Sequence, residues 1–268
     1  MSRVFLYIVS ANKNPDHLDE CNVPYEIDSR EIFFGPCKIR LRELFNKQNS
    51  DHNIEDTYFV GLNGNNRDKI RKIIWIGKMK EKLTFAAAYE KMNGKLRYKK
   101  MMQEEFSPLH VAPIKNGSDL LGYKLRSSLH SDNDDWVSDI VRKKNHLITD
   151  ANTNSIYKRE KDSVKDVFTR DVCFIFENIF FAKGQGISLN SKILNILKQS
   201  QKGVIGISED APFGLDKNRN INGKRGFWLE IPNKYSENFL KEILIEKTKI
   251  KGSEKLSVSK RNSGKCKC

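Results

Sequence analysis

The sequence predicts an α+β fold, with a mixed β-sheet or β-barrel core and peripheral helices. Two patterns carry this reading. Short runs of β-branched and aromatic residues recur along the chain, bounded by Gly, Pro and Asn. Between them lie stretches with apolar residues at helical spacing. The chain has 268 residues, 38% hydrophobic and 10% aromatic, which is enough to bury a substantial core.

Val4-Phe5-Leu6-Tyr7-Ile8-Val9 reads as a buried opening strand, and a polar loop with Asn12, Asn14, Pro15 and Pro24 follows it. Pro36 suits the first turn of a short helix carrying Ile39, Leu41, Leu44 and Phe45. Residues 57–62 and 73–79 read as paired strands. The Asn63-Gly64-Asn65-Asn66 turn lies between them, built from residue types that tolerate positive φ. Thr84 is placed to cap a helix over 85–92 that stops at Asn93-Gly94, with a second basic helix over 96–105.

Pro108, Pro113, Gly117 and Gly122 interrupt the middle of the chain, where only residues 146–149 read as a short strand. Residues 172–181 form the most apolar segment and predict a core strand, or a pair with a bend. Leu189, Ile193, Ile196 and Leu197 make a helical stripe. Strands are expected at 203–207 and 226–231, and Pro232 closes the second. Phe239, Leu240, Ile243 and Leu244 then mark a last amphipathic helix. The predicted organisation is one domain over 1–247 and a basic flexible tail over 248–268.

Charge is the strongest functional signal. Lys plus Arg number 48 against 34 for Asp plus Glu, a formal net charge of +14. Residues 63–104 hold twelve basic and four acidic residues, and residues 248–268 hold seven and one. These two stretches contain the whole surplus, and a field so uneven suits a polyanion partner. No segment approaches the roughly 18 apolar residues of a membrane span, and no secretory leader is recognisable. The expectation is a cytoplasmic protein without membrane contact.

Five cysteines, Cys21, Cys37, Cys173, Cys266 and Cys268, are too few and too scattered for a disulfide framework. His17 and Cys21 form one clean pair where structural zinc takes two, so no metal is expected. The chain has no phosphate-binding loop, dinucleotide fingerprint, nucleophile elbow or deaminase histidine spacing, and no cofactor is expected. Chemistry, if present, would fall to Cys37 beside Lys38, to the Asp132, Asp134 and Asp135 loop, or to Glu209-Asp210.

The order of segments resembles the second of the nucleotide modification associated domain families, found in bacteria and their phages. The resemblance rests on Phe5-Leu6-Tyr7-Ile8-Val9, on Phe34-Gly35 with Cys37-Lys38 and Arg40, and on Asp56-Thr57-Tyr58-Phe59-Val60-Gly61. It continues through Leu83-Thr84-Phe85 with Tyr89, Asn154-Ser155-Ile156-Tyr157, and Arg170-Asp171-Val172 running into Phe180-Phe181. It covers about residues 3–231. The chain departs from the family in keeping only Cys37 of a cysteine-rich stretch and in carrying an extra polar loop at 46–55. The order around residues 56–89 is also similar to PUA-like barrels. The resemblance implies a role in making or handling modified DNA bases, without settled catalytic residues.

Together these readings point to a protein that binds DNA or a modified nucleotide. Lys38, Arg40, Arg42, Arg67, Lys69, Arg71 and Lys72 are the expected phosphate contacts. Phe34, Tyr58 or Trp75 is the aromatic expected to stack on an extruded base, core packing being the competing role for each. The alternatives are an enzyme that modifies or cleaves modified DNA, and a small phage-defence adaptor whose basic tail docks a protein partner.

Overall fold

In the computed structural model the described residues are 2–9, 18, 23–36, 39–47, 54–64, 71–130, 135–201 and 228–250. They form an α+β structure with one large mixed sheet and one small antiparallel sheet. The large sheet comprises β1 (Arg3–Val9), β2 (Tyr25–Asp28), β3 (Glu31–Phe34), β4 (Thr57–Asn63), β5 (Lys72–Leu83), β10 (Cys173–Phe181), β11 (Ile187–Ser188) and β12 (Trp228–Ile231). The small one comprises β6 (Val111–Asn116), β7 (Asp119–Leu125), β8 (Leu147–Asp150) and β9 (Ser155–Lys158). The helices are α1 (Ile39–Lys47), α2 (Phe85–Met92), α3 (Lys99–Gln103), α4 (Asp135–Ile140), α5 (Val164–Val167), α6 (Ser191–Gln201) and α7 (Asn233–Thr248).

The strand order of the large sheet is β12-β1-β4-β5-β10-β3-β2, with β11 also on β5 and only the β1–β4 pair parallel. Side chains alternate as period two requires. Phe5, Tyr7 and Val9 enter one core, and Val4, Leu6 and Ile8 enter another. β1 and β3 are four strand steps apart, roughly 19 Å in a flat sheet. Yet the rings of Tyr7 and Phe34 lie 5.7 Å apart. The sheet therefore curls into a trough filled by aromatic rings, and Phe45 of α1 plugs it, 5.2 Å from Phe5 and 5.3 Å from Phe174. Gly61 is required inside the trough, because a Cβ there would come 2.1 Å from Trp75 Nε1. The edges β12 and β2 do not pair, so among the described residues the sheet is open and no barrel closes.

The outer side of the large sheet is covered in two halves. At the β12-β1-β4-β5 end, Ile193 and Leu197 of α6 and Phe239 and Ile243 of α7 bury the outward residues. At the β10-β3 end, Phe33, Cys173 and Ile175 pack on α2 and on Val111, Tyr123 and Ile156 of the small sheet. The small sheet thus lies against the large one through one face only.

Several expectations change in detail. The helix expected over 96–105 is a 3-10 turn at Leu96–Tyr98 followed by the short α3. The hairpin β2–β3 and three strands of the small sheet were not anticipated. Thr248 belongs to α7, while residues 203–207 and 251–268 lie outside the described residues. No described helix is long and apolar enough to cross a membrane.

Candidate nucleic-acid interface

The structure separates the residues the sequence singled out. Phe34 and Trp75 are both 0% exposed and stack on each other 6.1 Å apart within the trough, with Trp75 Nε1 donating to Tyr7 Oη at 2.7 Å. They are core residues and cannot meet a base. The curl explains why, since it turns a strand face that would be exposed in a flat sheet into the inside of a trough. Tyr58 is half-buried on the opposite side of β4, with the Lys78 ammonium 5.8 Å from its ring centre. It lines an apolar cleft of about 610 Å³ with Ile179, Leu240 and Leu244, alongside α7.

Among the cations, Arg71 is buried and donates to Asn63 O at 2.6 Å, and burial lowers its pKa. Lys72 is half-buried, its backbone N–H donating to Asn63 Oδ1. Lys38, Arg67 and Lys69 lie outside the described residues, as do Cys37, Asp132, Asp134, Glu209, Asp210 and the side chains of Arg40 and Asp135.

Arg42 is 0% exposed. Its guanidinium donates to the carbonyls of Pro36, Asp139, Arg170 and Val172 at 2.6–3.2 Å, and Nη2 lies 3.6 Å from Asp139 Oδ1. Burial pulls its pKa down and the Asp139 carboxylate opposes that shift. Arg42 is therefore a bracket between chain segments, not a phosphate contact. His110 Nε2 sits 3.4 Å from the other oxygen of Asp139, with its ring edge-on to Phe85.

The neighbouring buried acid, Asp171, has an equally structural task. A helix leaves its first N–H groups without internal partners. At the start of α2 three are satisfied from outside the helix: Phe85 N donates to Asp171 Oδ1, Ala86 N to Tyr123 Oη and Ala87 N to Thr84 Oγ1. Tyr123 Oη in turn donates to Asp171 Oδ2. Burial raises the Asp171 pKa to about 6 against the pull of these bonds, and burial likewise pushes up the Tyr123 hydroxyl and the Cys173 thiol. Thr84 acts as the predicted cap, while Asp171 links the start of α2 to Tyr123 of the small sheet.

Among the described residues, four of the twelve cations in the basic stretch at 63–104 are paired with carboxylates. Lys78 pairs with Asp56, Lys80 with Glu31, Lys91 with Glu81, and Arg97 with both Asp28 and Glu31. Lys95, Lys99 and Lys100 stay exposed beside Leu96, which is 86% exposed.

A denser set of free cations sits on the small sheet. The β8–β9 hairpin turns at 151–154, where Asp150 Oδ1 accepts from Asn152 N and Asn154 takes the left-handed conformation at φ 49°. At the other end of the hairpin Leu147 opposes Lys158. The exposed run Arg142-Lys143-Lys144 precedes β8, and Arg159 and Lys161 follow β9, at this same end of the hairpin. His146 Nδ1 lies 3.5 Å from Asp162 Oδ2, so the two flanks are adjacent. Arg142, Lys143, Arg159 and Lys161 are exposed and have no ion-pair partner among the described residues. Lys124 of β7 is exposed and unpaired on the same sheet. The sequence carried this signal as Arg-Lys-Lys at 142–144 and Lys-Arg at 158–159, two runs that only strand pairing unites. No group of metal-binding side chains occurs among the described residues. No protein-family model, curated protein or solved structure matches the chain.

Proposed function

We propose that the protein binds nucleic acid through the basic edge formed where β8 begins and β9 ends. The observation that carries this is the placement of Arg142, Lys143, Lys158, Arg159 and Lys161 around one end of the β8–β9 hairpin, while Lys78, Lys80 and Lys91 are paired with carboxylates. Free, clustered cations can release the counterions of several phosphates, which paired ones cannot. The buried titratable groups Arg42, Asp171, Tyr123 and Cys173 hold backbone and helix ends, which favours binding over bond chemistry as the chain's task. The resemblance noted above supports DNA carrying or receiving modified bases as the setting.

The test is a salt-dependent titration. Each phosphate contact contributes roughly 0.7–0.9 to the slope of log affinity against log salt. The triple variant Arg142→Glu, Lys143→Glu, Arg159→Glu is expected to lower affinity and flatten that slope by about 2. An unchanged slope would remove the basic edge as the interface.

A further inference from the structure

We infer that the nucleic acid held at this edge is single-stranded and that one of its bases stacks on Tyr157. The inference rests on the reading just given and adds a substrate class and a contact residue to it. Strand pairing sets Ile114, Gly122, Tyr157 and Ile148 in one row across all four strands of the small sheet. The alternate positions Val111, Tyr123, Ile156 and Leu147 supply the buried face. The row therefore lies on the face turned away from the core.

Two tyrosines on this sheet show the difference. Tyr123 is buried, and its hydroxyl is bonded to Asp171 and Ala86. Tyr157 is half-buried, joins no hydrophobic core cluster among the described residues, and its hydroxyl has no hydrogen-bond partner there. Its cross-strand neighbour Ile148 is 55% exposed. On its other side position 122 must stay bare, because a Cβ would come 2.0 Å from Ile156 O. An apolar strip with an open flank is thus presented to solvent.

The charges around it choose the occupant. Lys124 is diagonal to Tyr157 across the β7–β9 pair, a relation within reach of long side chains. Arg159 follows two residues later, just past the end of β9. A duplex keeps its bases stacked on one another and offers the ring only its phosphate rail. A single strand offers both a flat base for the ring and phosphates for Lys124 and Arg159. An acidic peptide would satisfy the cations and leave the ring unused.

The experiment follows fluorescence anisotropy of a labelled oligothymidylate and of a labelled duplex of equal length, using the full chain. Tyr157→Ala is expected to weaken single-strand binding about tenfold, with the salt slope and the thermal midpoint unchanged. Tyr157→Phe, which keeps the ring, should restore it. Equal affinity for the two probes, an unaltered Tyr157→Ala, or displacement by polyglutamate as effective as by unlabelled oligothymidylate would overturn the inference. If charge reversal at the edge weakens both probes while Tyr157→Ala does nothing, the nucleic-acid reading stands and the stacking inference falls. If the wild-type chain binds neither probe at low salt, both fall.

Discussion

The two sheets use the same residue types to opposite ends. In the large sheet a cluster of aromatic rings fills the trough and Lys78 and Lys80 meet carboxylates, the latter Glu31 at 2.7 Å. On the outer face of the small sheet Tyr157 and Lys124, and at one end of its β8–β9 hairpin four further cations, are left without partners among the described residues. Composition cannot separate these uses, since a lysine contributes the same formal charge whether or not a carboxylate sits across from it. What distinguishes a binding surface from a stabilising one is the partner, and partners are chosen by strand order.

The sharpest way to break this comparison is to exchange the roles of two arginines. Arg42→Met leaves Asp139 and four carbonyls without their donor, and removal of one side of a buried ionic cluster typically costs about 3–5 kcal/mol. Arg142→Met, at an exposed and unpaired position, should change stability by less than about 0.5 kcal/mol. Urea denaturation of the two variants tests the contrast directly, and equal losses would erase it.

Next in size is a dependence on pH. Asp171 keeps its proton up to about 6 in the folded chain, against an ordinary value of 3.8. Between these values the folded state binds more protons than the unfolded one, so stability falls as pH rises from below 4 to above 6. The expected loss is on the order of 2–3 kcal/mol, and Asp171→Asn should remove that part of the pH profile. A profile that is the same with and without the substitution would show that the carboxyl does not titrate there.

The smallest effect sharpens the charge argument. Lys80→Met removes a half-exposed lysine from buried Glu31, which Arg97 still reaches at 3.0 Å, and should cost about 1–2 kcal/mol, with nucleic-acid affinity and salt slope unchanged. A variant at Lys80 that flattened the slope as much as one at Arg159 would move the interface to the large sheet.

The central strands were legible because each is a nearly continuous apolar run. β1 and β4 are buried on both sides for most of their length, and β5 and β10 over their first halves. Helix α2 was legible from its ends, Thr84 and Asn93-Gly94. The small sheet apart from β8 was not, because its four- to seven-residue strands carry Pro113, Gly122 and several lysines and bury only one face. The curl of the large sheet also had no local signature, so Phe34 and Trp75 read as possible base platforms although they touch each other. The charge surplus was counted correctly, but its neutralisation was not, since Glu31 lies 49 residues from Lys80 in the chain.

The bracket at Arg42 also bears on how the chain is made. A ribosome delivers Pro36 and Arg42 together, but the Asp139 carbonyl arrives 97 residues later and that of Val172 arrives 130 residues later. Until then the guanidinium has only water for company, and α1 cannot seat with its charge satisfied. The aromatic interior cannot be sealed with this charge satisfied before the segment through Val172 is made, so its apolar surface is open to aggregation on any shorter chain.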